Sequence, residues 1–434
     1  MEVTDKQRTQ LDKARKRIEK SYRKDTEDLE WYLVGGAVRD IIRGEEPKDY
    51  DFVVVGETPK SMDERGYERI ENETFPVYQG KYNDEIALAR NETTTGSSYK
   101  DFQVDIDDVT LKEDLERRDF TMNAIAWNPD RGIVDPHDGI LNIQGETIQH
   151  VSDAFSEDPL RVVRGARFAA RFDFEIASTT VDIMKKTADK VESMHAQRLK
   201  EELIKNFEEA KNPRKFFDIL AEVGALSYSY PWVAAMFNVG THEEHHQEGH
   251  LYEHTMRVVE EFNSIMPNDV GGLLMALYHD VGKVNGDSKR HAKRGREMAS
   301  EIADHYNFSN EHLAMIKDGC YQHQRLKRID EMNDGTIYDT FHNYGTPLRT
   351  GFLIYADQRG REPQQSYDLS EYIKQVHRVQ AAIGSYGGKD LIDEGYKPDQ
   401  IGGEKFGELL RDKRIQRMDT TFRELKGVVQ GIGL

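Results

Sequence analysis

Two aspartates separated by a single residue, Asp49 and Asp51, are the side chains of this sequence best suited to hold a metal ion. They open a predicted strand over 51–55, and side chains two positions apart in a strand point to the same face. Two neighbouring carboxylates repel each other unless a cation lies between them. Oxygen ligands near phosphates favour magnesium, which activates an attacking hydroxyl group and holds a departing pyrophosphate. Such a pair alone is a weak signal, because most lie in loops or at strand ends.

A glycine pair, Gly35 and Gly36, precedes the aspartates. It lies between a predicted strand that ends at 33–34 and a predicted short helix over 37–43. Backbone N–H groups at a helix start, with no Cβ in the way, suit a triphosphate. A glycine pair by itself is usually only a turn, but the order strand, glycine pair, helix, aspartate pair and strand is far more specific.

Residues 32–55, YLVGGAVRDIIRGEEPKDYDFVVV, resemble the active-site signature of the DNA polymerase β-like nucleotidyltransferases. The segments LVGGAVRD and KDYDFVVVG are similar to the corresponding motifs of the bacterial-type (class II) tRNA nucleotidyltransferases, the CCA-adding enzymes. The resemblance implies that Asp49 and Asp51 are catalytic and hold Mg²⁺, and that Gly36 and Arg39 meet the triphosphate. It also implies tRNA as a partner, with CTP and ATP as the nucleotides that are added to its 3′ end.

A second motif, LERRDFTMNAIA, occupies residues 115–126. On its own it is compatible with an exposed helix start that Asp119 and Thr121 cap. The family resemblance implies that Arg118 contacts the nucleotide and that Asp119 and Asn123 favour a ribose over a deoxyribose. Met122 stands where the family usually has isoleucine, a change that conserves volume.

The stretch EDPLRVVRGARFAARF at 157–172 matches the family's E-D-x-x-R motif with its following arginines. Asp158 before a proline predicts a helix N-cap with proline in the first helical position. The spacing of Arg161, Arg164 and Arg167 places them on one helix face near Asp158. A capping aspartate with a solvated arginine face is the alternative.

Base selection by protein side chains follows from the chemistry of this stretch. Cytosine and adenine both present an amine donor beside a ring-nitrogen acceptor, and uracil and guanine present the reverse. Asp158 only accepts and Arg161 only donates hydrogen bonds, so the two match C and A. Glu157, four residues before Arg161, is predicted to hold the guanidinium against the base plane.

A histidine-rich segment begins near residue 241. Scattered histidines are usually core or surface residues. The order of His254, the adjacent His279 and Asp280 on a predicted helix, and Asp357 resembles, however, the H…HD…D pattern of HD-domain phosphohydrolases. Imidazoles with carboxylates suit a divalent transition metal, nickel or manganese. The resemblance implies hydrolysis of 2′,3′-cyclic phosphates or phosphomonoesters.

The whole chain of 434 residues carries 60 basic and 79 acidic side chains, for a net charge of −19. Phosphate contacts come chiefly from Lys and Arg, so basic stretches within the acidic chain, at 1–24 and 160–215, are the candidates to follow RNA. The single cysteine, Cys320, fits a reducing cytoplasm. The absence of a long apolar run predicts no membrane span.

We predict an α+β chain, with a polymerase-β-like nucleotidyltransferase head followed by all-α neck, HD and tail domains. The predicted boundaries are a helical extension at 1–30, the head at 31–150, the neck at 151–230, the HD domain at 240–362 and the tail at 363–434. The extension carries Leu11, Ala14, Ile18 and Tyr22 at helical spacing, and it departs from the resembling family, which begins near the first strand. Residues 90–100 lack apolar periodicity and are predicted to be a mobile loop.

Two other functions remain open at this stage. A poly(A) polymerase of the same superfamily shares the head motifs, although such relatives generally lack an HD segment. A catalytically inactive RNA-binding module is the other alternative, and the intact aspartates and glycines argue against it. The sequence does not decide whether both C and A are added, nor the oligomeric state.

Overall fold

The computed structural model describes residues 4–21, 29–70, 75–94, 102–105, 108–240, 249–284, 288–326, 333, 335–336, 338–339, 347–361 and 386–416. The chain forms two compact units, one of residues 1–195 with 222–228 and the other of residues 196–221 with 229–434. The finer division into five parts stays a prediction. Within the described ranges, no helix has both the length and the apolar character needed to cross a membrane.

A mixed six-stranded sheet in the order β3-β4-β2-β1-β7-β8 is the centre of the first unit. Strand β2 pairs in parallel with β4 and antiparallel with β1. Two further pairs lie outside this sheet, β5 with β6 and β9 with β10. The ten strands are β1 Glu30–Val34, β2 Asp51–Val55, β3 Val77–Gln79, β4 Glu85–Leu88, β5 Asn91–Thr94, β6 Phe102–Asp105, β7 Ala126–Asn128, β8 Gly132–Val134, β9 Thr147–Ile148 and β10 Glu175–Ile176.

Short helices connect these strands, and helices α1, α6 and α7 are the longer ones of this unit. Alternate residues of β1 and β2 build one side of its core, where Tyr32, Val34 and Val53 pack with Leu115. The helices are α1 Asp5–Ser21, α2 Gly36–Ile42, α3 Pro59–Glu64, α4 Leu111–Glu116, α5 Gly139–Gln144, α6 Leu160–Phe172 and α7 Ser178–Thr187.

The second unit is helical where it is described. Asn212 lies in a break between two helices, where its side chain accepts the backbone N–H of Arg214. Helices α10 and α9 extend across the boundary between the units. The helices are α8 Ala196–Glu209, α9 Pro213–Glu222, α10 Leu226–Ser229, α11 Pro231–Ala234, α12 Leu251–Ile265, α13 Val270–Tyr278, α14 His291–Tyr306, α15 Asn310–Leu326, α16 Pro347–Arg359, α17 Gly388–Asp393 and α18 Pro398–Ile401, with further helical residues at 403–416.

The predicted N-terminal helix is confirmed as α1. Leu11, Ala14 and Ile18 are buried as their spacing indicated, whereas Tyr22 lies outside the described residues. The prediction of a loop over 90–100 is wrong at its start: Asn91–Thr94 is a strand paired antiparallel with Phe102–Asp105. Consecutive threonines favour extended backbone even without apolar alternation. Residues 95–101 lie outside the described part.

Candidate active sites

The glycine turn forms between β1 and α2, at the end of a central strand of the main sheet. Gly35 has φ +66°, in the left-handed region that favours glycine, and its N–H donates to the carbonyl of Ile125. A Cβ at Gly35 would lie 3.0 Å from Nη1 of Arg118. A side chain at this position would therefore displace Arg118 and strain the turn.

The register of the sheet brings Asp51 beside this turn. Asp51 pairs with Val34, the residue just before Gly35, and it also pairs with Glu85 on β4. Burial, followed by the charge of Glu85, raises the pKa of Asp51 to about 6, while Arg118 acts in the opposite direction. Asp49 also raises this pKa, so the carboxylates lie close enough to repel one another.

Asp49 itself lies outside the strand. β2 begins at Asp51, as predicted, so strand geometry orients only Asp51 and the expectation that both carboxylates point to one face stays a prediction. Tyr50 between them is buried, at 2% exposure, whereas Asp49 is exposed. The net effect of these neighbours is to raise the pKa of Asp51 in spite of the charge of Arg118, so a divalent metal ion fits the group. Glu85 is a member of the group that the sequence reasoning missed.

A chain of hydrogen bonds joins α2 to α6 through the second motif. Arg39 is buried and donates from Nη1 to Oδ1 of Asn123 over 2.7 Å. Asn123 donates from Nδ2 to Oδ1 of Asp119 over 3.0 Å. Oδ2 of the same aspartate lies 2.7 Å from Nη2 of Arg164 on α6. The structure therefore brings together four residues that the sequence places in three separate motifs.

Opposite charges stabilise this series of hydrogen bonds. Burial alone would raise the pKa of Asp119, but the charge of Arg164 and the hydrogen bond from Asn123 lower it to about 2. Burial lowers the pKa of Arg39, and the charge of Asp40 opposes that change. The Arg39 guanidinium also packs 4.8 Å from the ring centroid of Phe172. Arg39 thus supports the turn from below, with Nη2 3.4 Å from where a Cβ of Gly36 would lie.

Arg118 is held by Asp114, one turn earlier on α4. Its Nη2 donates to Oδ2 of Asp114 over 3.0 Å, and Arg117 donates to the other oxygen over 2.8 Å. Burial alone would raise the pKa of Asp114, yet Arg118 and Arg117 lower it to about 2. Arg118 therefore lies between the glycine turn and the charge of Asp51, where a phosphate group would need a cation.

Helix α6 begins at Leu160, one residue later than predicted. Asp158 nevertheless accepts the N–H of Leu160 over 3.1 Å, as a cap does. Nη1 and Nη2 of Arg161 donate to the carbonyls of Ala154 and Arg117, at 2.8 and 2.6 Å. These two carbonyls fix the orientation of the Arg161 guanidinium. Glu157 is exposed, and its predicted contact with the guanidinium stays a prediction.

Arg167 differs from its neighbours on the predicted arginine face. It is 4% exposed, and its guanidinium lies 4.2 Å from the ring centroid of Phe168. The alternative of a solvated arginine face is therefore wrong at this position. The small side chains Ala166 and Ala170 are fully buried around it, which shows that α6 is covered on most of its surface.

The four residues of the predicted HD pattern converge in the second unit. Candidate ligand atoms of His254, His279, Asp280 and Asp357 all lie within 4.8 Å of one another, and all four residues are buried. His279 and Asp280 follow the last residue of α13 instead of lying within it, so their predicted helical position is wrong. His279 Nδ1 and the carbonyl of Ala276 are 2.8 Å apart, which leaves Nε2 directed at the carboxylates.

A second group shares Asp280 with the first. Asp280, His291 and His323 also have candidate ligand atoms within 4.8 Å of one another. Oδ1 of Asp280 lies 3.4 Å from Nε2 of His291 and 3.6 Å from Nε2 of His323. The close approach depends on Gly282, where a Cβ would lie 2.0 Å from the carbonyl oxygen of His291. The sequence contains both histidines, but the four-residue pattern gives them no role.

Cations outside the group orient its carboxylates. Nζ of Lys283 lies 2.6 Å from Oδ2 of Asp280, and Nη2 of Arg361 lies 2.9 Å from Oδ2 of Asp357. Burial alone would raise the pKa of Asp280, but Lys283 and then His279 hold it well below its usual range. Oδ1 of Asp357 lies 3.0 Å from Nε2 of His254, whereas Asp280 directs Oδ1 at His291 and His323 and Oδ2 at His279.

The cysteine of this chain lies directly behind this group. Sγ of Cys320 on α15 donates to the carbonyl of Tyr278, the last residue of α13, over 3.1 Å. Burial raises the pKa of the Cys320 thiol far above its usual value. A buried thiol of this kind packs as a small apolar residue and is not a metal ligand.

Family models match two parts of the chain. The model described as poly A polymerase head domain matches residues 31–149, and the one described as probable RNA and SrmB-binding site of polymerase A matches residues 173–237. The chain is 33% identical to a multifunctional CCA protein of Nitrosococcus oceani, with 92% of this chain and 100% of that protein covered. It is 35% identical to a multifunctional CCA protein of Stenotrophomonas maltophilia, with 89% and 98% covered.

Solved structures agree in fold. A Thermotoga maritima CCA-adding enzyme, solved with tRNA, has a TM-score of 0.63 at 20% identity and covers 100% of this chain and 99% of its own. A CCA-adding enzyme solved with ATP has a TM-score of 0.61 at 21% identity, with 98% and 95% covered. These likenesses confirm the predicted fold, a polymerase-β-like head followed by a helical body. From its relatives over nearly the full length, the chain belongs to the family of multifunctional CCA proteins, the bacterial-type tRNA nucleotidyltransferases that its head motifs resemble.

Proposed function

We propose that the head adds C and A to the 3′ end of tRNA from CTP and ATP without a nucleic-acid template. The observation that carries the proposal is the pairing of Val34 with Asp51, which places the Gly35 turn and the carboxylates at one end of the paired strands. A triphosphate at the turn would thus lie beside the candidate metal ligands. The named activities of the relatives support the same reaction.

Each residue has a part in this proposal. Asp49 and Asp51 hold Mg²⁺, with Glu85 beside them, and a bound Mg²⁺ would polarise the terminal ribose hydroxyl and the transferred phosphoryl group. The amide groups at Gly36 and the side chain of Arg118 contact the triphosphate. Arg39 acts from below the turn, through Asn123, because its side chain is buried.

Base choice falls to the start of α6. Asp158 accepts and Arg161 donates, which matches the shared edge of cytosine and adenine. The carbonyls of Arg117 and Ala154 hold two nitrogens of Arg161, which fixes the plane of its guanidinium group at the start of α6. Arg164 aligns the ribose-selecting pair Asp119 and Asn123 from the same helix. Glu157 and Arg167 complete the proposed set of nucleotide-binding residues. Arg167 would act indirectly, because its side chain is buried against Phe168.

Incubation of tRNA lacking its terminal CCA with CTP, ATP or both, followed by sequencing of the 3′ ends, tests this function. We expect CC with CTP alone and CCA with both nucleotides. Long adenosine tails would indicate the poly(A) polymerase alternative, and unchanged ends with retained tRNA binding would indicate an inactive RNA-binding module. A cytoplasmic setting belongs to the proposal, since the buried Cys320 forms no disulfide.

We also propose a metal-dependent phosphohydrolase site in the second unit. His279 Nε2 and Asp280 Oδ1 are buried, and neither makes a hydrogen bond among the described residues. Imidazole nitrogens and carboxylates of this kind fit nickel or manganese. The two overlapping groups would hold two metal ions, with Asp280 common to both groups. Phosphomonoesters and 2′,3′-cyclic phosphates, such as those at RNA ends, are the proposed substrates.

Metal content and hydrolysis test this second site together. We expect two equivalents of metal per chain in the purified protein, one in His323→Ala and fewer than one in Asp280→Asn, by elemental analysis. His279→Ala should lose hydrolysis of 2′,3′-cyclic AMP while it adds CCA at the normal rate, because the head lies in a different unit. Protein that binds no transition metal and hydrolyses no such ester would contradict the proposal.

A further inference from the structure

The N-terminal helix α1 contacts two segments of the head. Its first half reaches residues 42–50, where Nε2 of Gln7 donates to the carbonyl of Ile42 over 3.0 Å. Its last residue reaches the turn before β4, because Oγ of Ser21 accepts the N–H of Lys81 over 2.9 Å. The first segment leads into Asp49 and Asp51, and the second leads into Glu85.

Arg17 of this helix contacts both segments at once. Its Nε donates to Oδ1 of Asp84 over 2.9 Å, and its Nη2 donates to Asp84 and to the carbonyl of Tyr82. Its guanidinium also lies 4.6 Å from the ring centroid of Tyr50 and 5.0 Å from that of Tyr82. A planar guanidinium can donate two hydrogen bonds to one carboxylate oxygen and lie against an aromatic ring at the same time, which a lysine cannot.

The two residues that Arg17 holds are direct neighbours of the carboxylates. Tyr50 is 2% exposed and lies between Asp49 and Asp51. Asp84 has a side chain 2% exposed and precedes Glu85, the register partner of Asp51. Oδ2 of Asp84 is buried and makes no hydrogen bond to the described residues. The contacts of Arg17 at Oδ1 therefore compensate the negative charge of this carboxylate. A buried carboxylate without its cation is costly, and the segment would shift to relieve it.

We propose that Arg17 is a positioning residue for nucleotidyl transfer, which fixes the spacing between the Asp49–Asp51 segment and Glu85 by clamping Tyr50 and Asp84. The inference rests on the proposed role of Asp49 and Asp51. It gives the N-terminal helix a part in catalysis that acts through Tyr50 and Asp84. The glycine turn lies outside the clamp, so nucleotide binding should not depend on it.

Steady-state kinetics of C addition to tRNA tests the clamp. Arg17→Met should lower kcat about tenfold with the KM for CTP unchanged, because the reacting groups are misplaced while the binding turn is intact. Arg17→Lys should recover only part of kcat. Arg15→Met is the matched control, because Arg15 is 53% exposed, pairs with Glu19 of the same helix and should leave both parameters unchanged.

Hydrogen exchange of the metal-free protein gives a readout without turnover. Amides of residues 46–51 and 80–85 should exchange faster in Arg17→Met than in Arg15→Met, and those of α6 should not. If Arg17→Met does not fold, Asp84→Asn carries the test, since it removes the partner charge with little change in shape, and should lower kcat severalfold. A normal kcat in whichever variant folds would overturn the clamp. Asp51→Asn, assayed in parallel, distinguishes this failure from a failure of the proposed active site, because only the latter leaves Asp51→Asn active.

Discussion

The ion pair between Asp119 and Arg164 joins the ribose motif to the helix that carries Asp158 and Arg161. Nη2 of Arg164 lies 2.7 Å from Oδ2 of Asp119, and the other oxygen of the same carboxylate accepts from Asn123. One carboxylate therefore holds Asn123, proposed to select the sugar, and the helix whose start is proposed to select the base. A change at Asp119 should affect both the stability of the head and its selectivity.

Asp119→Ala should lower the free energy of unfolding of the head by about 3 kcal/mol, because it leaves Arg164 and Asn123 without their shared acceptor. Urea unfolding followed by fluorescence of Trp31 and Trp127 measures this, in a Trp232→Phe background that removes the signal of the other unit. Glu157→Ala, at an exposed position, should change the unfolding free energy by less than about 0.5 kcal/mol. Equal losses in the two variants would contradict a structural role for the ion pair.

Asn123→Ala should relax the preference for ribonucleotides. Arg39 and Asp119 fix the amide of Asn123, and loss of a hydrogen bond to the 2′-hydroxyl costs about tenfold in selectivity. Competition between ATP and dATP at the last addition measures the ratio. An unchanged ratio would remove Asn123 from sugar selection, and Asn142→Ala, whose amide donates to Thr121, is a control.

Asp51→Asn should abolish nucleotide addition and yet stabilise the metal-free head, by about 1 kcal/mol. The reason is that burial and the charges of Glu85, Asp49 and Asp84 raise the pKa of Asp51, and the charge of Arg118 offsets this only in part. Addition of Mg²⁺ should raise the melting temperature of the normal protein and not that of the variant. A variant that is destabilised in EDTA, or that responds to Mg²⁺ as the normal protein does, would speak against the metal site.

Asp158→Ala and Arg161→Ala should weaken incorporation of C and A and admit U and G. Mismatched acceptors or donors in a desolvated pocket cost about 1–3 kcal/mol per group, or roughly ten- to a hundredfold. Competition assays with all four nucleotides measure the effect. If Asp158 only caps α6 through Leu160, its removal should cost stability and leave the selectivity as it was.

Asp114 should make the head sensitive to acid. Its folded pKa of about 2 lies below the usual value, so its contribution to stability is complete above about pH 4 and is lost as the pH falls toward 2. The contribution at neutral pH is about 2 kcal/mol. Asp114→Asn should lower stability at pH 7 and flatten its fall between pH 4 and pH 2, in urea titrations at each pH. If stability fell equally between pH 4 and pH 2 in the normal protein and the variant, Asp114 would not be the source of the acid sensitivity.

Local patterns were enough for several elements of this fold. The spacing of Leu11, Ala14 and Ile18 predicted α1, and the apolar run after Asp51 predicted β2 with its bounds. These elements are determined by residues near each other in sequence, where periodicity is informative. The same holds for the histidine–aspartate order that located the group in the second unit.

Contacts between distant segments were not predictable in this way. Glu85 joins Asp51 only because β4 pairs in parallel with β2, and no local pattern fixes that strand order. Arg17 meets Asp84 across 67 positions, and His291 reaches Asp280 because Gly282 permits a close approach. The strand at Asn91–Thr94 is missing from the prediction since its polar residues hide a pairing that only the partner strand reveals.

The hydrogen bond between Cys320 and Tyr278 gives the second unit a built-in reporter. A thiol reagent reacts only with an exposed thiolate. Cys320 becomes exposed when α15 separates from α13. Because this is the single cysteine of the chain, the labelling rate of the unmodified protein reads the opening of the helix pair behind the histidines. His279 and His323 lie on either side of that contact. Metal bound to them should therefore lower the labelling rate of Cys320 in the unmodified protein.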